Sequence, residues 1–379
     1  MKYDRIIRCI LRMCFYSGLI MIAFSLIPLN PSTASRINVQ NMAPLNLEED
    51  QFRGPKGWFT RVITDEIADF KRDCQQAVDM VAKVMREDLQ LKVKEVIKSG
   101  SLSKGTMVHG VSDIDVIVIL NPPDLPFLKN VKNMDKYKEQ LAWVIGEMEV
   151  AVKSVGKNGM KVISTVTNQF LVNVNIRLAS GERIKVDVLA TADNWAEEGK
   201  GIYDSMFRRR LPEDREFYSV GLAKLQRDFV KQKPAPVKEL IRLVKYWNAN
   251  IVGTALEGPL PTSYSMELIT VYVWEEKMGK PNRVDLLEGF KQVLNTIGND
   301  EVFHYWRENY TKEMVDIAMG GMDETRKRRP FILDPANPFN NVCARFHDTW
   351  PDVARVAQET LNSSLLRNIR LKKHWKTEL

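Results

Sequence analysis

The sequence predicts an α+β protein built as a mixed sheet-and-helix half followed by a mostly helical half. Two observations predict it. Between residues 113 and 190, strand-like runs alternate with one amphipathic helix; after about residue 213, apolar residues recur at helical spacing. An apolar content of 44% against 27% charged excludes a disordered or fibrous chain. At 379 residues there is ample length for a two-lobed unit with a cleft between the lobes.

The elements follow in order. Lys2, Arg5, Arg8 and Arg12 precede an uncharged stretch from Met13 to Leu29 and then the small residues Ser32-Thr33-Ala34-Ser35. This is the layout of a signal peptide or short anchor. The competing reading is a dispensable extension, residues 1–41, before a fold that begins near Met42. From Trp58 to about Ile97, Ile63, Ile67, Phe70, Cys74, Val78, Val81 and Val84 mark a helix. The loop GSLSKGT follows, then a strand from Asp113 to Leu120 stopped by Asn121-Pro122-Pro123.

A helix is expected over about 133–155, then strands at 161–167, 170–179 and 183–190. Ser180-Gly181-Glu182 turns between the last two. Helices are expected at 214–231, 236–252, 262–278, 283–297 and 299–318. This divides the chain into a core of 42–212 and a helical lobe of 213–379.

Chemistry concentrates in KSGSLSKGTMVHGVSDIDVIVIL, residues 98–120. Strand alternation puts Asp113 and Asp115 on one side, about 7 Å apart, with Ile114, Val116 and Val118 on the other. Carboxylates beside a buried strand are costly unless paired or metal-bound, and this pair suits Mg²⁺ with phosphate oxygens. In RIKVDVLA, Asp187 is an acid among apolar neighbours, either a ligand or the partner of Lys185 or Arg183 at a sheet edge. Three such aspartates suit two Mg²⁺ ions and a phosphoryl transfer.

The loop holding Gly100, Ser101 and Lys104 has the small residues and backbone N–H groups of an anion nest, though GxxxxGK[ST] is absent. In PVKELIRLVKYWNAN, Lys238, Arg242 and Lys245 share one helix face, suited to a triphosphate if it borders the cleft. The net charge of +7 is compatible with an anionic partner. The four cysteines form no CxxC. Cys343 and His347, at i, i+4, lack the second pair a structural zinc site needs.

GSLSKGTMVHGVSDID, VDVLA, RDFVKQKPAPVKELIRLVKYW, PTSYSMELITVYVWE and FILDPANPF occur in the order of their counterparts in the 2′-5′-oligoadenylate synthetases. The chain resembles that family over roughly residues 58–362. The resemblance implies a polymerase-β-like nucleotidyltransferase core with a C-terminal helical lobe. Asp113, Asp115 and Asp187 match the catalytic, metal-binding triad, with Asp187 as proton acceptor. Gly100, Ser101 and Lys245 match donor triphosphate contacts, Arg242 sits on the same basic face and is counted with the nucleotide-binding residues, and Lys104 matches a residue on the acceptor side. Tyr264 matches the tyrosine that packs on the donor base; its alternative is a core aromatic.

The implied cofactor is Mg²⁺, two ions, with ATP as substrate. The implied activator is double-stranded RNA, met by Lys98, Arg227 and Lys231, in antiviral innate immunity. Other NTPs are further substrate candidates. A cytoplasmic enzyme with no stable membrane partner follows. Pro236 departs from the basic residue that vertebrate members tend to carry, and Ser99 replaces the first glycine of Gly-Gly-Ser. The chain end lacks the tail motif associated with oligomerisation in some members. Two rivals share the core: a cyclic dinucleotide synthase without the zinc insertion, and a catalytically inactive RNA-binding sensor.

Overall fold

The computed structural model describes residues 68–109, 111, 114–120, 125–129, 133–156, 160–194, 199–208, 217–320, 328–363 and 365–371. Asp113 and the apolar stretch 13–29 lie outside the described residues.

The first half is a five-stranded mixed sheet. Its strands are β1 (Val93–Ser99), β2 (Ile114–Leu120), β3 (Lys161–Thr167), β4 (Leu171–Arg177) and β5 (Arg183–Ala192), in the order β1-β2-β5-β4-β3. β2 and β5 run parallel, and the other pairs are antiparallel. One face carries Val116, Val118 and Leu120 of β2, Val172 and Val174 of β4, and Val186 and Val188 of β5. They form a single core with the apolar stripes of α1 (Ala68–Glu87) and α3 (Met134–Val152). The other face carries Ile97, Ile117, Ile119, Leu171 and Leu189, closed by Val220 and Ala223. Cover on both faces is why IDVIVIL is apolar at nearly every position.

The helix expected to run to Ile97 ends at Glu87. The 3.6-residue stripe stops there, and Leu89, Leu91 and Val93 begin an alternation that enters β1. Gly100–Lys104 forms a one-turn helix, α2, where a loop was expected. Gly105 ends it at φ +80°, a left-handed conformation that favours glycine. The hairpin turn at 180–182 forms as expected, with Gly181 at φ +91° and Leu178 N–H donating to Glu182 O at 2.8 Å.

The second half contains α5 (Ala223–Lys231), α6 (Ala235–Trp247), α7 (Ser263–Tyr272), α8 (Leu286–Gly298) and α10 (Trp350–Leu361); α4 (Gly201–Phe207) precedes them. α6 and α7 each run on into a π-helical turn, at Asn248–Val252 and Val273–Lys277. The helix expected at 299–318 is instead a two-residue strand, β6 (Phe303–His304), followed by α9 (Lys312–Gly320). FILDPANPF folds as β7 (Phe331–Asp334) and β8 (Asn337–Asn341). Tyr310, Val315, Phe331, Leu333 and Ala336 join the core under the five-stranded sheet, so the late chain returns to the first half.

Among the described residues, no helix is long and apolar enough to cross a membrane. Cys343 is buried, with burial pushing its thiol pKa up, and His347 Nε2 lies 2.9 Å from Pro330 O. Those contacts give both residues structural environments.

Candidate active site

β2 and β5 lie in register, with Asp115 opposite Asp187. Ser99 on β1 is opposite Asp115, and Asn173 on β4 is opposite Asp187. A polar row of Ser99, Asp115, Asp187 and Asn173 therefore crosses four strands. Their exposures are 5%, 4%, 2% and 4%, on the face opposite the α1–α3 core. The Asn173 amide donates to Asp187 Oδ1. Asp187 thus lies on a central strand and not at a sheet edge.

Two carboxylates on adjacent strands, roughly 4.8 Å apart along the backbone ladder, are like charges in a site nearly stripped of water. Hard oxygen donors in this arrangement fit a divalent cation, which offsets that repulsion. The third expected ligand, Asp113, lies outside the described residues.

A second cluster forms where α2 meets the helical half. Lys245 Nζ donates to Ser101 Oγ at 2.6 Å and to Thr106 O at 3.1 Å. Lys104 Nζ donates to Glu267 Oε2 at 2.9 Å, and Thr106 Oγ1 donates to Glu267 Oε1 at 2.5 Å. Lys245 Nζ also lies 3.6 Å from Glu267 Oε1. The side chains of Lys245 and Glu267 are 0% and 1% exposed. Burial pushes the Glu267 carboxyl up, but Lys104 and Lys245, with hydrogen bonds from Thr106 and Lys104, outweigh it and hold it below the ordinary range.

Sequence reasoning missed Glu267. The signal was available: in YSMELITVY it is a lone acid in a helix buried at every position. The same logic singled out Asp187. Ser99 was noted only as a departure, and Asn173 only as part of a strand.

Arg242, half-buried, donates from Nη1 to Gly105 O at 3.0 Å, and desolvation lowers its pKa. The basic face of α6 therefore grips the carbonyls after α2, Gly105 through Arg242 and Thr106 through Lys245. Gly100, at φ +70°, opens α2 beside the polar row. Tyr264 is buried; its hydroxyl donates to Asp334 Oδ1 at 3.2 Å, and Lys104 Nζ stands 4.6 Å from its ring centroid.

The three residues expected at an RNA surface also fall together. Lys98 on β1 pairs with Asp79. Arg227 on α5 donates to Lys98 O at 3.4 Å and pairs with Asp228 at 2.7 Å. Lys231 is one helical turn beyond Arg227 and exposed; its carbonyl accepts from Lys238 Nζ at 2.5 Å. α5 packs directly on α2, so this surface and the loop of the candidate site share a wall.

Residues 78–155 match the nucleotidyltransferase domain family, and residues 197–379 match the family described as 2′-5′-oligoadenylate synthetase 1, domain 2, C-terminus. The chain is 31% identical over 310 residues to 2′-5′-oligoadenylate synthase 1A of Mus musculus, covering 76% of this chain and 82% of that one. It is 28% identical over 339 residues to 2′-5′-oligoadenylate synthase 1A of Rattus norvegicus, covering 82% of this chain and 91% of that one. With 2′-5′-oligoadenylate synthase 2 of Homo sapiens it shares 28% identity over 325 residues, 79% of this chain but 43% of that longer protein. The in-register aspartates, the lysine-lined loop and these matches agree: the chain belongs to the 2′-5′-oligoadenylate synthase family.

Proposed function

We propose that this protein joins ATP into 2′-5′-linked oligoadenylates, releasing pyrophosphate, when double-stranded RNA occupies the Lys98–Arg227–Lys231 surface. The observation that carries the reading is the matched, buried Asp115–Asp187 pair in a chain of this family.

The residues divide the work as follows. Asp115 and Asp187, with Asp113, would hold Mg²⁺, two ions in this reading. Bound there, Mg²⁺ supplies charge neutralisation at the phosphates and a lower pKa for the acceptor hydroxyl. Asp187, held by the Asn173 amide, accepts the proton of the acceptor 2′-hydroxyl. Ser101 and Lys245, already bonded to each other, face the donor triphosphate, with Gly100 giving the backbone room to approach. Arg242 fixes the Gly105 end of that loop, Lys104 serves the acceptor side, and Tyr264 packs on the donor base. A role in antiviral innate immunity and a cytoplasmic site of action belong to this reading.

Duplex RNA is bound by its shape and phosphates, and such contacts weaken with salt. RNA bearing on α5 bears also on α2, because the two are packed together. The direct test is pyrophosphate release from ATP, with and without Mg²⁺ and with and without duplex RNA. Release that needs both supports the reading; no release under any combination favours an inactive RNA-binding protein and removes it.

The RNA surface has its own test. Lys231→Ala removes an exposed ammonium and leaves the core of α5 untouched. Duplex RNA binding should weaken, and the slope of log affinity against log salt should fall by about one. An unchanged slope, measured by fluorescence anisotropy from low to moderate salt, takes Lys231 off the interface.

A further inference from the structure

FILDPANPF contributes to the family resemblance without a role in the chemistry above. Its Asp334, at the end of β7, is fully buried. Four donors converge on its carboxylate. Tyr264 Oη and the Ala336 backbone N–H reach Oδ1 at 3.2 and 2.8 Å. Gln226 Nε2 and Asn340 Nδ2 reach Oδ2 at 2.6 and 3.2 Å.

Each oxygen accepts two hydrogen bonds, so the carboxylate sits in a fixed orientation and fixes whatever donates to it. Two of the donors come from different helices, Gln226 from α5 and Tyr264 from α7. A tyrosine ring has two side-chain torsions. Its hydroxyl oxygen lies on the axis of ring rotation, so anchoring it fixes where the ring lies. The phenolic O–H keeps near the ring plane by conjugation, so a directional hydrogen bond from it also biases that plane. Burial raises the Asp334 pKa while the donors oppose it, which marks a carboxyl held in place at a solvation cost.

We propose that Asp334 is a positioning residue for nucleotide binding: by holding the Tyr264 hydroxyl, it sets the ring plane that receives the base of ATP. The proposal rests on the reading of Tyr264 as the donor-base partner. A pocket surface of correct shape before the nucleotide arrives spares the ordering that binding otherwise demands.

The test uses the full chain with Mg²⁺ and duplex RNA, a non-hydrolysable α,β-methylene ATP as one probe and inorganic tripolyphosphate as the other. Tyr264→Phe keeps the ring and removes the anchor; Asp334→Asn keeps the shape and removes the charge. Each single variant is expected to loosen the ATP analogue about three- to tenfold. The double variant should bind no more weakly than the weaker single one, and tripolyphosphate affinity should be unchanged in all three.

Equal losses for tripolyphosphate and the ATP analogue in Asp334→Asn would show a general structural defect and overturn the proposal. So would additive losses in the double variant, or unchanged binding in Tyr264→Phe, which is the gentler substitution should Asp334→Asn fold poorly. Because the readout is equilibrium binding, the outcome stands apart from the proposed synthesis. A chain that binds ATP but makes no oligoadenylate contradicts the synthesis and leaves this test intact.

Discussion

Asp187→Asn is expected to lower product formation by about a thousandfold or more while leaving duplex RNA binding intact. The substitution keeps the size of the side chain and changes its charge. Asp187 lies opposite Asp115 on the parallel neighbour strand and accepts the Asn173 amide. An asparagine there would lose the proposed cation ligand and the proposed acceptor for the hydroxyl proton together. Asp115→Asn is expected to do the same through the first of these effects alone. Both variants should fold, because replacing one of two adjacent buried carboxylates removes like-charge repulsion. Thermal unfolding, RNA anisotropy and pyrophosphate release on the same samples separate the effects. Synthesis retained in either variant contradicts the assignment of the pair.

Glu267→Gln has the largest expected effect on stability, a loss of about 3 kcal/mol or more. Glu267 is buried and receives Lys104 and Thr106, with Lys245 at 3.6 Å, so one carboxylate faces two lysines. The neutral amide leaves both lysines facing a site without that charge. Adding Lys104→Met should recover part of the loss, because the second change removes one of the groups Glu267 compensates.

The pH dependence follows from the depressed Glu267 carboxyl. A carboxyl whose folded pKa is below its unfolded value contributes stability above the unfolded value, about pH 4, and loses it as pH falls through the folded one. The stability gap between wild type and Glu267→Gln, read from urea midpoints, should therefore be full at pH 6 and shrink below about pH 4. A gap constant with pH contradicts the ionised Glu267. Activity should fall in parallel at neutral pH, since Lys245 and Ser101, held in the same network, face the donor phosphates in this reading.

Local pattern made Asp115 and Asp187 legible, because alternation along a strand tells which way a side chain points. It does not tell which strands become neighbours. The row from Ser99 to Asn173 exists only through the order β1-β2-β5-β4 and its register, and no short window of sequence contains that. Asn173 did leave a trace, a polar residue at an inward position of FLVNVNIRLA.

The misread helix over residues 88–97 has a similar cause. LQLKVKEVIK carries both an alternation and enough charged helix formers to extend α1, and pairing with β2 decided between them. The hairpin at 331–341 was invisible for another reason. Both strands are short, Pro335 lies between them and Pro338 within β8, and Phe331, Leu333 and Ala336 are buried by packing into the core of the first half. Glu267 and Asp334 share one lesson: an acid enclosed by apolar residues marks a site, on a helix or at a strand end as much as within a strand.

The measurement that bears most directly on the central claim is the identity of the product. The full chain, Mg²⁺ and duplex RNA are incubated first with ATP and then with mixed NTPs, and the products are resolved by mass spectrometry and tested with a 3′-5′-specific nuclease. A ladder of linear oligoadenylates that carry the 5′-triphosphate and resist the nuclease is the predicted result. A cyclic dinucleotide, or no nucleotide product while RNA binds, contradicts it.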